Sequence, residues 1–128
     1  MSTLKQLVNV MVPVRDQDAA IAFYTEKVGF EKRVDIPFGD GDEAGRWIEV
    51  GPADGAAIAL TPERGDNWVA GRMSGVTFVT DDVDAVHARL QQAGVDVDAE
   101  ILRIPGPPPD MFWFRDADGN QLLIVQGP

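Results

Sequence analysis

No cysteine occurs in the 128 residues, and histidine and tyrosine occur once each. The missing thiols exclude disulfides, zinc-finger sites and thiolate chemistry, and leave the compartment open. No apolar run reaches the length of a membrane span. Met1 to Gln6 lacks a basic region followed by a long apolar run, so no signal peptide is expected and the cytoplasm is the default location. Basic residues are few: 11 Lys and Arg against 21 Asp and Glu give a formal net charge of −10. A field of that sign repels phosphate backbones and anionic membranes, so neither nucleic acid nor a membrane is an expected partner. The same field would attract a cationic ligand, although acids spread over loops and helix starts also serve solubility alone.

What is present is a hairpin, twice. Phe112, Trp113, Phe114 and Arg115 alternate before Asp118-Gly119-Asn120, which offers the φ > 0 positions of a short hairpin connection. Leu122 to Val125 follows as a nearly continuous apolar strand, the pattern of burial on both faces. A weaker copy lies 64 positions earlier, where Trp47 to Val50 leads through Asp54-Gly55 into Ala57 to Leu60. Other anchors repeat with it: Asp16 maps to Asp82 and Gly29 to Gly94, at offsets of 66 and 65. A period this long means two modules rather than a solenoid. The apolar share of 45% suffices for a core, and the length fits one domain built of two βαβββ modules, about 5–61 and 74–127, with a linker at 62–73.

In chain order, Val8, Val10, Val12 and Val14 alternate with Asn9, Met11 and Pro13, which is strand periodicity. Pro13 cannot donate a ladder hydrogen bond and should face an edge or a bulge. Asp16 or Asp18 can cap a helix whose inward stripe is Ala20, Phe23, Tyr24, Lys27 and Val28. Phe30 to Ile36 reads as a strand and Pro37 to Gly45 as a loop. In the second module, Val76 to Thr80 is a strand. Asp81 or Asp82 caps a helix carrying Val83, Val86, Leu90 and Ala93, and Val95 to Leu102 reads largely as a strand. The Pro-rich loop Ile104 to Asp110 then leads into the final hairpin.

Val12-Pro13-Val14-Arg15-Asp16, Ala22-Phe23-Tyr24, Val28-Gly29-Phe30, Phe78 to Asp84 and Asp116-Ala117-Asp118-Gly119-Asn120 together resemble the vicinal oxygen chelate superfamily. That family contains glyoxalase I, extradiol dioxygenases and bleomycin-resistance proteins. The resemblance covers almost the whole chain. It implies an α+β fold in which two βαβββ modules curl a mixed sheet around a cleft, and it implies a homodimer. In the metalloenzymes of the family, four side chains facing the cleft hold a divalent metal. Here the corresponding positions are Asn9, Ala59, Gly75 and Leu123. Asparagine can lend a carbonyl oxygen, but alanine, glycine and leucine offer no side-chain ligand. No metal or other cofactor is therefore expected.

The residues read by themselves agree. Zinc, iron and nickel sites are built mostly from His, Cys and carboxylates. The single histidine, His87, sits beside an apolar helix stripe and reads as structural. Asp40, Asp42 and Glu43 cluster on a loop without calcium-site spacing and read as a solvated turn. No Ser-His-Asp arrangement and no phosphate-binding glycine loop is present.

The resemblance marks Ala59 and Leu123 as the cleft face; alternation then puts Ile48 and Val50 on the helix-packed face and Trp47 and Glu49 toward the cleft. Met111 and Trp113 are their equivalents in the second module. The expected ligand-binding set is Asn9, Met11, Trp47, Glu49, Ala59, Gly75, Met111, Trp113 and Leu123, with small Ala57 making room: an apolar cleft with few polar anchors. The same aromatics would also suit a filled core or a dimer interface. Trp68, in a polar linker, could cover the cleft mouth or meet a partner chain. Glu49, beside two tryptophans, should have a pKa raised by desolvation, which makes it the one candidate general base. A solvated Glu49, or one paired with Arg46, Arg103 or Arg115, is the plainer alternative.

Four functions follow. One is a metal-free protein of the bleomycin-resistance type, binding a small aromatic or cationic molecule. The others are a metal-dependent lyase, isomerase or dioxygenase, a metal-free enzyme using Glu49, and an interaction module with a collapsed cleft.

Overall fold

A computed structural model describes residues 3–128. The first half runs β1 (Asn9–Val14), α1 (Gln17–Ala22), β2 (Glu31–Phe38), β3 (Gly45–Gly51) and β4 (Ala57–Pro62). The second runs β5 (Met73–Thr80), α2 (Val83–Gln92), β6 (Asp96–Val97), β7 (Met111–Arg115) and β8 (Gln121–Gln126). Each half folds into one four-stranded mixed sheet, ordered β1-β4-β3-β2 and β5-β8-β7-β6. In both, the first strand pairs parallel with the last, and the remaining pairs are antiparallel. The fold is α+β, as the sequence implies. Among the described residues no helix is long and apolar enough to cross a membrane.

The helix starts are set by side-chain caps. Asp16 accepts the Ala19 N–H and Asp82 accepts the Ala85 N–H, each at 3.0 Å, which satisfies one orphan donor per helix. Ala20, Tyr24 and Val28, four apart, are buried against the first sheet. Lys27 is exposed and does not belong to that stripe. From Phe23 to Val28 the helix widens into a π-turn, with Gly29 N–H reaching Tyr24 O, and the changed phase rotates Lys27 outward. Ala93 is likewise exposed, because α2 ends at Gln92. Val8 precedes β1 and is exposed.

Two strands differ from the sequence reading. β2 runs on to Phe38, so Pro37 and Phe38 belong to it rather than to the loop. As an edge strand it tolerates the missing Pro37 N–H. The stretch Val95 to Leu102 keeps only the two residues of β6 and a single bridge from Leu102 to Met111. The cause is Asp98. Its carboxylate, not a ladder carbonyl, takes the Trp113 N–H at 3.1 Å, and its other oxygen takes Arg115 at 2.8 Å.

The final hairpin closes with an Asp116 N–H to Asn120 O bond at 2.9 Å. Gly119, at φ 84°, is the one left-handed residue in it; Asp118 and Asn120 keep negative φ. The turn thus needs one glycine, as in hairpin loops ending in an αL position. One apolar core joins the two sheets, taking Val12, Ile48 and Ile58 from the first and Phe112, Phe114 and Leu122 from the second.

Candidate functional site

Strand register builds the site. In β3, Ile48 and Val50 are buried under the helix while Trp47 and Glu49 stand half-buried on the opposite face. Directly paired residues share a face, so Ile36, opposite Trp47, and Phe38, opposite Gly45, join them. On the same face Ala59 lies between Met11 and Glu49. Ala59 is buried, yet Met11, Ile36 and Phe38 remain 49%, 55% and 52% exposed. This is an open apolar surface, floored by small residues and walled by large ones.

A cavity of about 440 Å³ lies on it, lined by Met11, Phe38, Trp47, Thr61, Arg64 and Trp68, with Arg46 and Pro62. Its volume falls within the roughly 300–1,000 Å³ of small-molecule sites. The linker strap that carries Trp68 is held by an Arg64–Trp68 bridge, with Arg64 N–H donating to Trp68 O at 2.8 Å. The Trp68 indole donates to Thr61 Oγ1 at 2.8 Å, which fixes its ring over the cavity. A second cavity, of about 150 Å³, shares Met11 and Trp68 and extends to Arg72, Met73 and Asn120.

The Phe38 wall depends on Gly45. A Cβ at Gly45 would lie 2.7 Å from the Phe38 ring, so the ring occupies the space a side chain would fill. Behind the cavity Arg46 is fully engaged. It grips Asp35 with two donors, at 2.7 and 3.1 Å, and Asp18 with a third at 2.8 Å. Hydrogen bonding to Arg46 lowers the Asp35 pKa, and the same bonds raise that of Arg46. The pair ties β2, β3 and α1 together.

Glu49 accepts the Trp47 indole N–H at 2.8 Å. The three arginines that could have paired with it are engaged elsewhere: Arg46 as above, Arg103 with Asp84 and Asp110, and Arg115 with Asp96 and Asp98. Glu49 is thus an anchor for Trp47. His87 is structural: its Nε2 lies 2.7 Å from Asp98 O and its ring stands edge-on to Phe112.

The nine expected site residues divide between the sheets. Asn9, Met11, Trp47, Glu49 and Ala59 share the first, where Met11 and Trp47 line the larger cavity. Gly75, Met111, Trp113 and Leu123 belong to the second, where Trp113 and Leu123 are paired directly. Gly75 borders a separate cavity of about 450 Å³ between the sheets, with Val10, Ala57 and Thr77. Phe38, Thr61 and Arg64 were not expected at the site. Had the alternation of β2 been carried past Pro37, it would have found Phe38. Of the metal-position residues, Ala59, Gly75 and Leu123 carry no donor. Among the described residues, no group of three or more His, Cys, Asp or Glu is placed to hold a metal ion.

A buried polar cluster was also missed. Tyr24 Oη donates to Asp116 Oδ2 at 2.7 Å, and Asn120 Nδ2 donates both to Asp116 Oδ2 at 3.0 Å and to Pro13 O at 2.8 Å. Asn120 Oδ1 accepts the Gly71 N–H at 2.8 Å. Burial, and then the nearby Asp116 carboxylate, push the Tyr24 phenol well above its ordinary range. Desolvation likewise raises the Asp118 carboxyl, against the opposing bond from the Arg15 N–H. The cluster fastens the last hairpin to the first half of the chain.

Comparison with known proteins agrees with this architecture. A protein from Sphaerobacter thermophilus DSM 20745, a member of the Glyoxalase/bleomycin resistance protein/dioxygenase superfamily, superposes with a TM-score of 0.88 at 26% identity, over 98% of this chain and 100% of that one. TnmS3, an antibiotic binding protein from Streptomyces sp. CB03234, superposes with a TM-score of 0.80 at 34% identity, over the full length of both. The uncharacterized protein YetH of Bacillus subtilis (strain 168) is 32% identical over 96% of this chain and 99% of its own. Residues 6–124 match the family profile itself, and the chain belongs to the Glyoxalase/Bleomycin resistance protein/Dioxygenase superfamily.

Proposed function

We propose that this protein binds a small aromatic molecule, without a metal, in the cavity walled by Met11, Phe38, Trp47 and Trp68. The observation that carries this reading is the pair of indoles, each fixed by a hydrogen bond from its own N–H, to Glu49 and to Thr61. Both rings are thereby pre-set, and a flat ligand stacking on them need not order them first. The antibiotic-binding role of TnmS3, 34% identical over the whole chain, supports a binding function. The donor chemistry supports the metal-free part: Ala59, Gly75 and Leu123 cannot ligate, and the carbonyl of Asn9 alone does not make a transition-metal site. The second sheet's Met111, Trp113 and Leu123 would complete the site if it closes between two copies of the chain. A cytoplasmic homodimer is therefore part of the proposal. The exposed Ile36, Phe38 and Val79 are consistent with such a contact.

The test is calorimetric titration of chelator-treated protein with a neutral bicyclic probe, 2-naphthalenemethanol. Saturable binding that weakens at least about tenfold in Trp47→Ala is expected, as stacking partners contribute on that scale. Binding that requires added zinc, nickel or iron, or that is unchanged in Trp47→Ala, contradicts the reading.

A further inference from the structure

The chain has eight arginines, and the guanidiniums of six are bonded to carboxylates or to backbone carbonyls. Arg15, Arg46, Arg103 and Arg115 pair with carboxylates. Arg33 donates to Pro52 O and Gly55 O, and Arg89 to Lys27 O and Val28 O. Only Arg64 and Arg72 have no side-chain hydrogen bond or ion pair among the described residues. These two guanidiniums keep all their donors for a ligand.

Both lie at the same place. Arg64 lines the larger cavity and Arg72 the smaller, and the two cavities share Met11 and Trp68. Neither cavity is lined by an aspartate or a glutamate. The third guanidinium at the site, Arg46, is already matched by Asp35 and Asp18. Glu49, on the same sheet face, is turned to the Trp47 indole, so the charged residues that line the two cavities are all positive, opposite in sign to the chain as a whole.

We infer that the ligand is an aromatic anion, a planar ring system bearing a carboxylate or phenolate, and not a cation. The ring stacks between Trp47 and Trp68, and the acidic group turns toward Arg64 or Arg72. A guanidinium matches a carboxylate with two parallel N–H donors, a geometry that a lysine could not supply. The net charge of −10 acts at long range and slows the approach of an anion; the two arginines decide what is held once it arrives. This inference rests on the binding function proposed above and adds the charge of the ligand.

Three probes of one shape separate the two claims: 2-naphthoate, 2-naphthalenemethanol and 2-naphthylmethylammonium, each titrated by calorimetry into the full chain. The naphthoate should bind at least about tenfold more tightly than the ammonium compound, the scale of one charge-assisted contact. In the double variant R64Q/R72Q the preference should disappear, while an unchanged circular dichroism spectrum and urea midpoint show that the variant is folded. An ammonium probe that equals or exceeds the naphthoate overturns the inference and leaves the binding function standing, provided the alcohol binds. A preference that survives in R64Q/R72Q overturns it as well. Failure of all three probes overturns both.

Discussion

The Tyr24 hydroxyl donates to Asp116 Oδ2 at 2.7 Å, across 92 positions of sequence, with both residues buried. It is the bond at the centre of the cluster that holds the two halves in one arrangement. Tyr24 is also the only tyrosine in the chain, so its ionisation can be read alone.

Burial and the Asp116 charge hold the folded pKa of Tyr24 well above that of an unfolded tyrosine, about 10. The neutral phenol is favoured in the fold, so its contribution to stability is whole below pH about 10 and is lost as pH rises toward the folded value. Tyrosinate absorbance should stay absent in native protein past pH about 10 and appear only with unfolding. A midpoint near 10 in protein that is still folded by circular dichroism would show that the phenol is solvated.

Replacing Tyr24 with Phe removes the donor and leaves Asp116 with its bonds from Asn120 and Asp118. The expected loss is about 1–3 kcal/mol, from urea unfolding, together with a flatter decline of stability above pH about 10. An unchanged midpoint would mean that solvent replaces the bond at no cost.

Asn120→Ala should cost more, about 2–4 kcal/mol, because it takes a partner from the Pro13 carbonyl and the Gly71 N–H at once and leaves Asp116 Oδ2 with the Tyr24 hydroxyl alone. The measurement is again denaturant unfolding, at pH 7. A loss well under 1 kcal/mol would show that the linker strap rearranges to satisfy them.

Gly45→Ala tests the Phe38 wall. The added methyl meets the far end of the ring and should displace it with little effect on stability. Affinity for 2-naphthalenemethanol should fall about threefold or more while the unfolding midpoint moves by less than about 1 kcal/mol. Unchanged affinity would remove Phe38 from the site.

Much of this fold was legible because it rests on local signals. Asp16 and Asp82 precede their helices by the capping spacing, and the Asp-Gly turns mark both hairpins. Alternation separates Ile48 and Val50 from Trp47 and Glu49 on β3, and the family resemblance tells which pair faces the cleft. What was not legible depends on partners far along the chain. Nothing near Asp98 announces that its carboxylate replaces a backbone carbonyl and ends β6. Nothing near Pro37 shows that its strand lies at an edge, where a proline is harmless. Asp116-Ala117-Asp118-Gly119-Asn120 reads as a turn; that Asp116 and Asn120 also serve Tyr24 and Pro13 needs the packed structure. The site divided in the same way. Met11 and Trp47 follow from periodicity, whereas Arg64 and Trp68 come from a linker with none.

The proposal stands or falls on whether this member of the superfamily holds an aromatic molecule, without a metal, in the cavity walled by Met11, Phe38, Trp47 and Trp68. Native mass spectrometry of the protein, purified without added metal and mixed with 2-naphthoate, tests it most directly. The account predicts a dimer whose mass grows by one naphthoate per chain and carries no transition metal. A stoichiometric metal in place of the organic adduct would contradict it, and would mean that Asn9, Ala59, Gly75 and Leu123 are not the positions that face the ligand.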